Sequence, residues 1–184
     1  MNTTTTTPAT KTTWTLDAMH SELGFKIKHL MITNVTGYFT QFNVTADVDG
    51  HNFTTAKIDA EVEVASINTN NEQRDSHLLN SDFFETEKFP KMRFKSTEIK
   101  KVDDDVFELF GDLTIKGATK PVKLVVEYSD IVKDPYGNTK AGFSFSGKIN
   151  RKDWGVSFNA ALETGGVMLG EEVKIFGELQ LIKQ

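Results

Sequence analysis

Val173-Lys174-Ile175-Phe176-Gly177-Glu178-Leu179-Gln180-Leu181 decides the fold. Val173, Ile175, Gly177, Leu179 and Leu181 fall on one parity, with Lys174, Phe176, Glu178 and Gln180 between them. A two-residue period suits a strand with one face buried and the other wet. The same alternation returns through most of the chain, and only one segment breaks it. Many strands with almost no helix predict an all-β protein, a closed or sandwiched antiparallel sheet with an interior able to hold something apolar.

Working outward, the first strand places Leu23, Phe25, Ile27 and His29 on one face, followed by a turn near Thr33 and Asn34. A second strand carries Phe42, Val44, Ala46 and Val48. Gly37 and Phe39 stand on the opposite parity, which predicts a bulge or bend near Thr40. Asp49-Gly50 is a tight-turn signal, and Ile58, Ala60, Val62 and Val64 form the third strand. Asn68 to Phe89 is the exception to the alternation. Leu78, Leu79, Phe83 and Phe84 are spaced for a short amphipathic helix and an apolar turn, which Phe89-Pro90 ends. Alternation then resumes at Met92 and Phe94, and continues through Phe107 to Ile115, Val122 to Tyr128 and Ala141 to Ile149. About eight strands with short turns suit an up-and-down barrel, which leaves no open edge. A sandwich has the same periodicity.

A chain of 184 residues supports one domain with a sizeable core. The expected division is a disordered, threonine-rich tail over residues 1–13 and a single barrel domain over 14–184. The tail lacks the apolar stretch of a secretory signal, so the expected compartment is the cytoplasm. No run approaches the ~18 apolar residues of a membrane span. The net charge of -5, with scattered Lys and Arg, argues against a nucleic-acid partner. With no cysteine, disulfides, thiolate metal sites and cysteine nucleophiles are excluded.

No catalytic constellation stands out, and no cofactor is expected. His20, His29, His51 and His77 lack the close pairing of zinc ligands, so no metal site is expected. His29, on the apolar parity, reads as a hydrogen-bonded interior histidine or as a donor to a ligand head group. Asp17, His20 and Ser21 have the composition of a hydrolase triad but sit too close in sequence; they read better as a strand-entry turn. Gly142 to Gly147 lacks the G-x-S-x-G spacing and lies within an alternating strand. Arg151 and Asp153 read as a structural ion pair. A barrel of eight strands is either filled by its side chains or holds one small ligand. Fourteen phenylalanines against three tyrosines and two tryptophans give it a greasy interior with few polar handles.

Several blocks resemble the YceI-like family, a lipocalin-like group of bacterial isoprenoid-lipid binders. They include Asp17-Ala18-Met19-His20-Ser21, Val35-Thr36-Gly37-Tyr38-Phe39, Arg74-Asp75-Ser76-His77-Leu78, Ser81-Asp82-Phe83-Phe84 and Lys88-Phe89-Pro90. Gly111-Asp112-Leu113-Thr114-Ile115-Lys116-Gly117 and Asn150-Arg151-Lys152-Asp153-Trp154-Gly155-Val156 follow in the same order. The resemblance runs from Trp14 to the C-terminus. It implies an antiparallel eight-stranded lipocalin-like β-barrel, a short helical segment covering part of it, and a long apolar channel. It also implies transport or sequestration of a polyisoprenoid, an isoprenoid quinone or another long-chain lipid. Many relatives carry an export signal and act in the periplasm, and this N-terminus departs from them.

Each buried methylene is worth ~0.8 kcal/mol, so a long prenyl chain would nominally exceed the non-covalent ceiling of roughly -18 to -21 kcal/mol. Chain ordering and association entropy must cancel much of that gain. By parity, Phe25, Ile27, His29, Val62, Val64, Phe94, Leu113, Phe143 and Phe145 face the expected ligand, joined by Leu79 and Phe83 from the covering segment. Arg74, Asp75 and His77 are head-group candidates; pinning the helix to the barrel is their competing and favoured role. Two rivals to a non-catalytic lipid carrier remain. One is a ligand-free interaction or stress-response module, marked by an exposed apolar patch or a homodimer. The other is a lipid-modifying enzyme starting from His29.

Overall fold

The computed structural model describes residues 10–184. Its strands are β1 (Lys11–Leu16), β2 (Glu22–His29), β3 (Thr33–Phe39), β4 (Phe42–Asp49), β5 (Asn52–Glu63) and β6 (Ile67–Asn68). After helix α1 (Glu72–Leu79) come β7 (Lys91–Lys101), β8 (Val106–Ile115), β9 (Ala118–Lys133), β10 (Thr139–Asn150) and β11 (Leu169–Lys183). All pairings are antiparallel, in the order β1-β4-β5-β7-β8-β9-β10-β11, and β1 closes the ring by pairing with β11. The sheet is an eight-stranded barrel.

β11 explains the three additional strands. Its C-terminal end pairs with β1 at Leu181↔Leu16, and its N-terminal part pairs with β2 from Glu178↔Glu22 to Leu169↔His29. β1 and β2 are thus one stave of the barrel, interrupted at Asp17. β3 and β4 form the next stave, pairing with β2 and β1 respectively. β5 and β6 form a third: β5 follows β4, and β6 turns away to β3 at Phe39↔Ile67. β5 pairs with β7 as far as Glu63↔Lys91, where β7 begins, and α1 with the following turns contributes Leu78, Phe83 and Phe84 to this end, the upper end.

Two boundaries differ from expectation. The barrel begins at Lys11, inside the segment expected to be a tail, and Trp14 is fully buried. Residues 1–9 lie outside the described residues. The first hairpin turns at Leu30–Ile32, ahead of Thr33 and Asn34, and β3 starts there. The bend expected near Thr40 is present at Thr40–Gln41, and there the ladder also changes partner. Thr40 N–H and Gln41 N–H donate to the Ser66 carbonyl and Ser66 Oγ, at 3.1 and 3.0 Å.

The break at Asp17 is held by charge. Its carboxylate accepts from Lys140 Nζ at 2.7 Å, lies 2.9 Å from His20 Nδ1, and caps Met19 N–H at 3.2 Å. Ser21 Oγ accepts instead from Gln180 N–H at 2.9 Å, so the expected strand-entry turn replaces any triad. The Lys140 hydrogen bond, assisted by His20 and opposed by burial, holds the Asp17 carboxyl below its ordinary 3.8. A depressed carboxyl stabilises the fold above its unfolded value, and that contribution is lost as pH falls below 3.8 through the folded value. Asp17→Asn should therefore lower Tm by a few degrees at pH 7 and have little further effect near pH 2, as melting curves at both pH values would show.

Candidate functional site

Two cavities lie in line along the barrel axis. The lower has a volume of about 220 Å³ and is walled by Phe53, Ile58, Ile99, Leu124, Phe143 and Phe145 among other apolar side chains. The upper has about 240 Å³ and lies beneath Leu78, Phe83 and Phe84 of the covering segment and Trp154, Val156 and Phe158 of the β10–β11 connection. Six residues belong to both walls: Phe25, Phe39, Met92, Ile115, Ile149 and Ile175. They form the boundary, or waist, that the two chambers share. Each chamber is more than ten times the ~10–15 Å³ that a single water needs, and the lower offers that water almost no polar partner.

Glycine explains how a phenylalanine-rich barrel stays hollow. Phe25 is paired across the ladder with Gly37, and Phe145 with Gly177. A Cβ at either glycine would come within 2.4 Å of the facing ring, so each ring lies flat on the wall where that Cβ would be. Phe94 uses Gly111 in the same way, at 2.3 Å. Aromatic cover of a strand glycine is favourable in itself. Here it also folds three rings down along the wall, out of the space they would otherwise fill.

The polar groups gather at the upper end. Asn71 Oδ1 caps α1 by accepting from Arg74 N–H at 2.9 Å. Arg74 donates to Thr69, to Oγ1 through Nε and to the carbonyl through Nη2, both at 2.7 Å. Asp75 accepts from Thr69 N–H at 2.9 Å and from its Oγ1 at 2.5 Å. This clamp pins α1 to the end of β6. Arg74 also lines the upper chamber, whereas Asp75 does not. His77 lies 2.8 Å from Asp82 Oδ2 and packs edge-on against Phe83 and Phe158. Replacing Asp75 with Ala removes both of Thr69's acceptors and should cost about 1–3 kcal/mol. Hydrogen exchange should accelerate over residues 69–79 while the β8–β9 ladder keeps its protection.

Of the residues expected inside, Phe25, Val62, Phe94, Leu113, Phe143 and Phe145 line the lower chamber. Ile27, His29 and Phe83 line the upper, together with Phe25. Val64 and Leu79 line neither: Val64, 2% exposed, is a core residue just past the end of β5, and Leu79 packs beside it in the upper core cluster. Val64 is thus interior as counting along β5 expects, but it sits in the short turn after Glu63 and borders neither chamber. His29 makes no side-chain hydrogen bond among the described residues, contrary to the bonded interior histidine expected.

Arg151 does not pair with Asp153. It is 5% exposed, donates Nε to the Gly170 carbonyl at 2.8 Å and Nη1 to the Val156 carbonyl at 2.7 Å, and lines the upper chamber. Burial pushes its guanidinium below the usual value, with Glu171 opposing. Sequence reasoning missed this wall residue because it begins the turn after β10, where strand parity no longer applies.

A closed antiparallel barrel with an apolar channel and a helical cover is a lipocalin-like barrel. A model described as the YceI-like domain matches residues 14–181. A UPF0312 protein of Staphylococcus aureus (strain N315) is 46% identical over 164 residues, 89% of this chain and 93% of the relative. The crystal structure of a Campylobacter jejuni YCEI protein superposes with a TM-score of 0.75 at 35% identity, covering 92% of this chain and 96% of that one. A polyisoprenoid binding domain from Saccharophagus degradans implicated in plant cell wall breakdown shares the fold, with a TM-score of 0.67 at 14% identity over 93% of this chain and 98% of that one. The chain belongs to the YceI-like family.

Proposed function

We propose that the protein binds a polyisoprenoid or similarly long lipid chain in its two-chambered channel and sequesters or carries it without catalysis. The observation that carries this reading is the shared waist. Two apolar chambers that adjoin at common side chains, read as one channel, suit a long, narrow, flexible chain better than a compact ligand. The polyisoprenoid binding domain of the same fold gives the ligand class its precedent. Burial at ~25 cal/mol per Å² supplies the affinity, and channel length and width supply the selectivity.

Native mass spectrometry of freshly purified protein, followed by lipid extraction, tests it. A co-purifying or added prenyl lipid bound at one per chain is expected. A protein that stays empty and refuses prenyl lipids would defeat the reading. One feature favours a second, interaction-module reading: the upper hairpin turn exposes Met31 and Ile32 at 58% and 75%. Such a module would still bind its partner with its channel empty.

A further inference from the structure

Arg151 has an unusual position for a cation. Its two hydrogen bonds go to neutral backbone carbonyls, and its remaining nitrogen, Nη2, is buried with no partner among the described residues. Three carboxylates of the upper end are engaged elsewhere, and Asp153, though close in sequence, makes no ion pair to Arg151. Glu171 pairs with Lys152 at 2.6 Å, Asp82 bonds His77, and Asp75 holds Thr69. No ion pair to Arg151 exists among the described residues. Burying a charge without a counter-charge costs several kcal/mol, and structures retain such groups where something else meets them.

We propose that the ligand of the upper chamber carries an anionic oxygen, as a carboxylate or a phosphate, that docks on Arg151 Nη2. The inference rests on the lipid-binding reading and gives the ligand an orientation: acidic head up, apolar chain through the waist. A guanidinium held by two carbonyls is already oriented, so docking requires only that the side chains covering the buried Nη2 yield to the anion. The lower chamber has no equivalent. The one charged residue on its wall, Arg93, is exposed and pairs with Glu61 at 3.1 Å. Arg74, the other guanidinium on the upper wall, is exposed and committed to Thr69.

Matched pairs of ligands test this on the unaltered protein: palmitate against hexadecanol, and farnesyl phosphate against farnesol, titrated calorimetrically below their aggregation limits. The acidic member should bind about tenfold tighter or better in at least one pair, and which pair responds separates carboxylate from phosphate. Arg151→Gln should bring that pair to parity, and Arg151→Lys should keep part of the preference. Equal binding of acid and alcohol by the unaltered protein overturns the head-group inference and leaves lipid binding standing. A preference that survives Arg151→Gln but vanishes in Arg74→Gln also overturns it. Binding of no member of either pair defeats both readings. Comparison within the unaltered protein keeps the test decisive if Arg151→Gln, having lost two carbonyl contacts, fails to fold.

Discussion

Phe143→Asp should strip the barrel of bound lipid and lower its stability by roughly 4 kcal/mol or more. Phe143 sits opposite Leu179 of β11 and Tyr128 of β9 and lines the lower chamber. Its ring meets Phe53 edge-on at 5.1 Å and Tyr128 at 5.5 Å. The substitution removes both aromatic contacts and places a carboxyl on the apolar wall of the lower chamber. For a domain of this size, a loss of that magnitude is on the order of 10 °C in Tm. The introduced carboxyl has its folded pKa raised by the apolar wall, so the penalty is full well above that value. It shrinks as pH falls toward the unfolded value of about 3.9, where both states are protonated. Phe143→Leu, which keeps an apolar wall, should retain lipid and most of the stability. Unchanged lipid content and Tm in Phe143→Asp would mean that this face does not enclose the ligand.

The staves of the barrel were legible because a half-buried strand needs alternation, and β2, β5, β7 to β10 and β11 all alternate. Two features were not. β1 hides in a threonine-rich stretch that resembles a tail by composition, yet threonine is β-branched and suits strands, and Thr12, Trp14 and Leu16 keep the parity. At Thr40 the opposite parity of Phe39 and Phe42 is visible, but a local pattern cannot say that the chain stays in one stave while its ladder partner changes. The site divides along the same line. Strand side chains such as Phe25 and Phe94 could be placed by counting. The upper wall is built by turns, where no period applies, and that is why Arg151, Trp154 and Phe158 escaped. Hollowness itself is a cross-strand property. It depends on Gly37 lying opposite Phe25 and Gly177 opposite Phe145, and register is not written in one strand alone.

That dependence makes Gly37→Ala the sharpest test of the channel. The added methyl would stand 2.4 Å from Phe25 Cζ and 2.9 Å from Thr69 Cγ2. Both are side-chain atoms, so the backbone can stay and the ring must lift. Phe25 belongs to the waist, so lifting it narrows the passage between the chambers. Overpacking of this kind costs about 1–3 kcal/mol, which leaves a folded barrel. A chain long enough to thread both chambers should lose on the order of 100-fold in affinity or more, because the burial beyond the waist disappears and only part of that loss is offset by the ordering entropy regained. A chain short enough for one chamber should bind almost as before. Titrating a series of prenyl alcohols of increasing length reads this as a break in the length dependence, present in Gly37→Ala and absent in the unaltered protein. Adding Phe25→Leu to Gly37→Ala removes the ring that blocks the waist, so the pair should regain long-chain binding that the single substitution lost. Equal losses for short and long chains would show instead that the methyl disturbs the wall as a whole, and that the two cavities are not filled by one ligand.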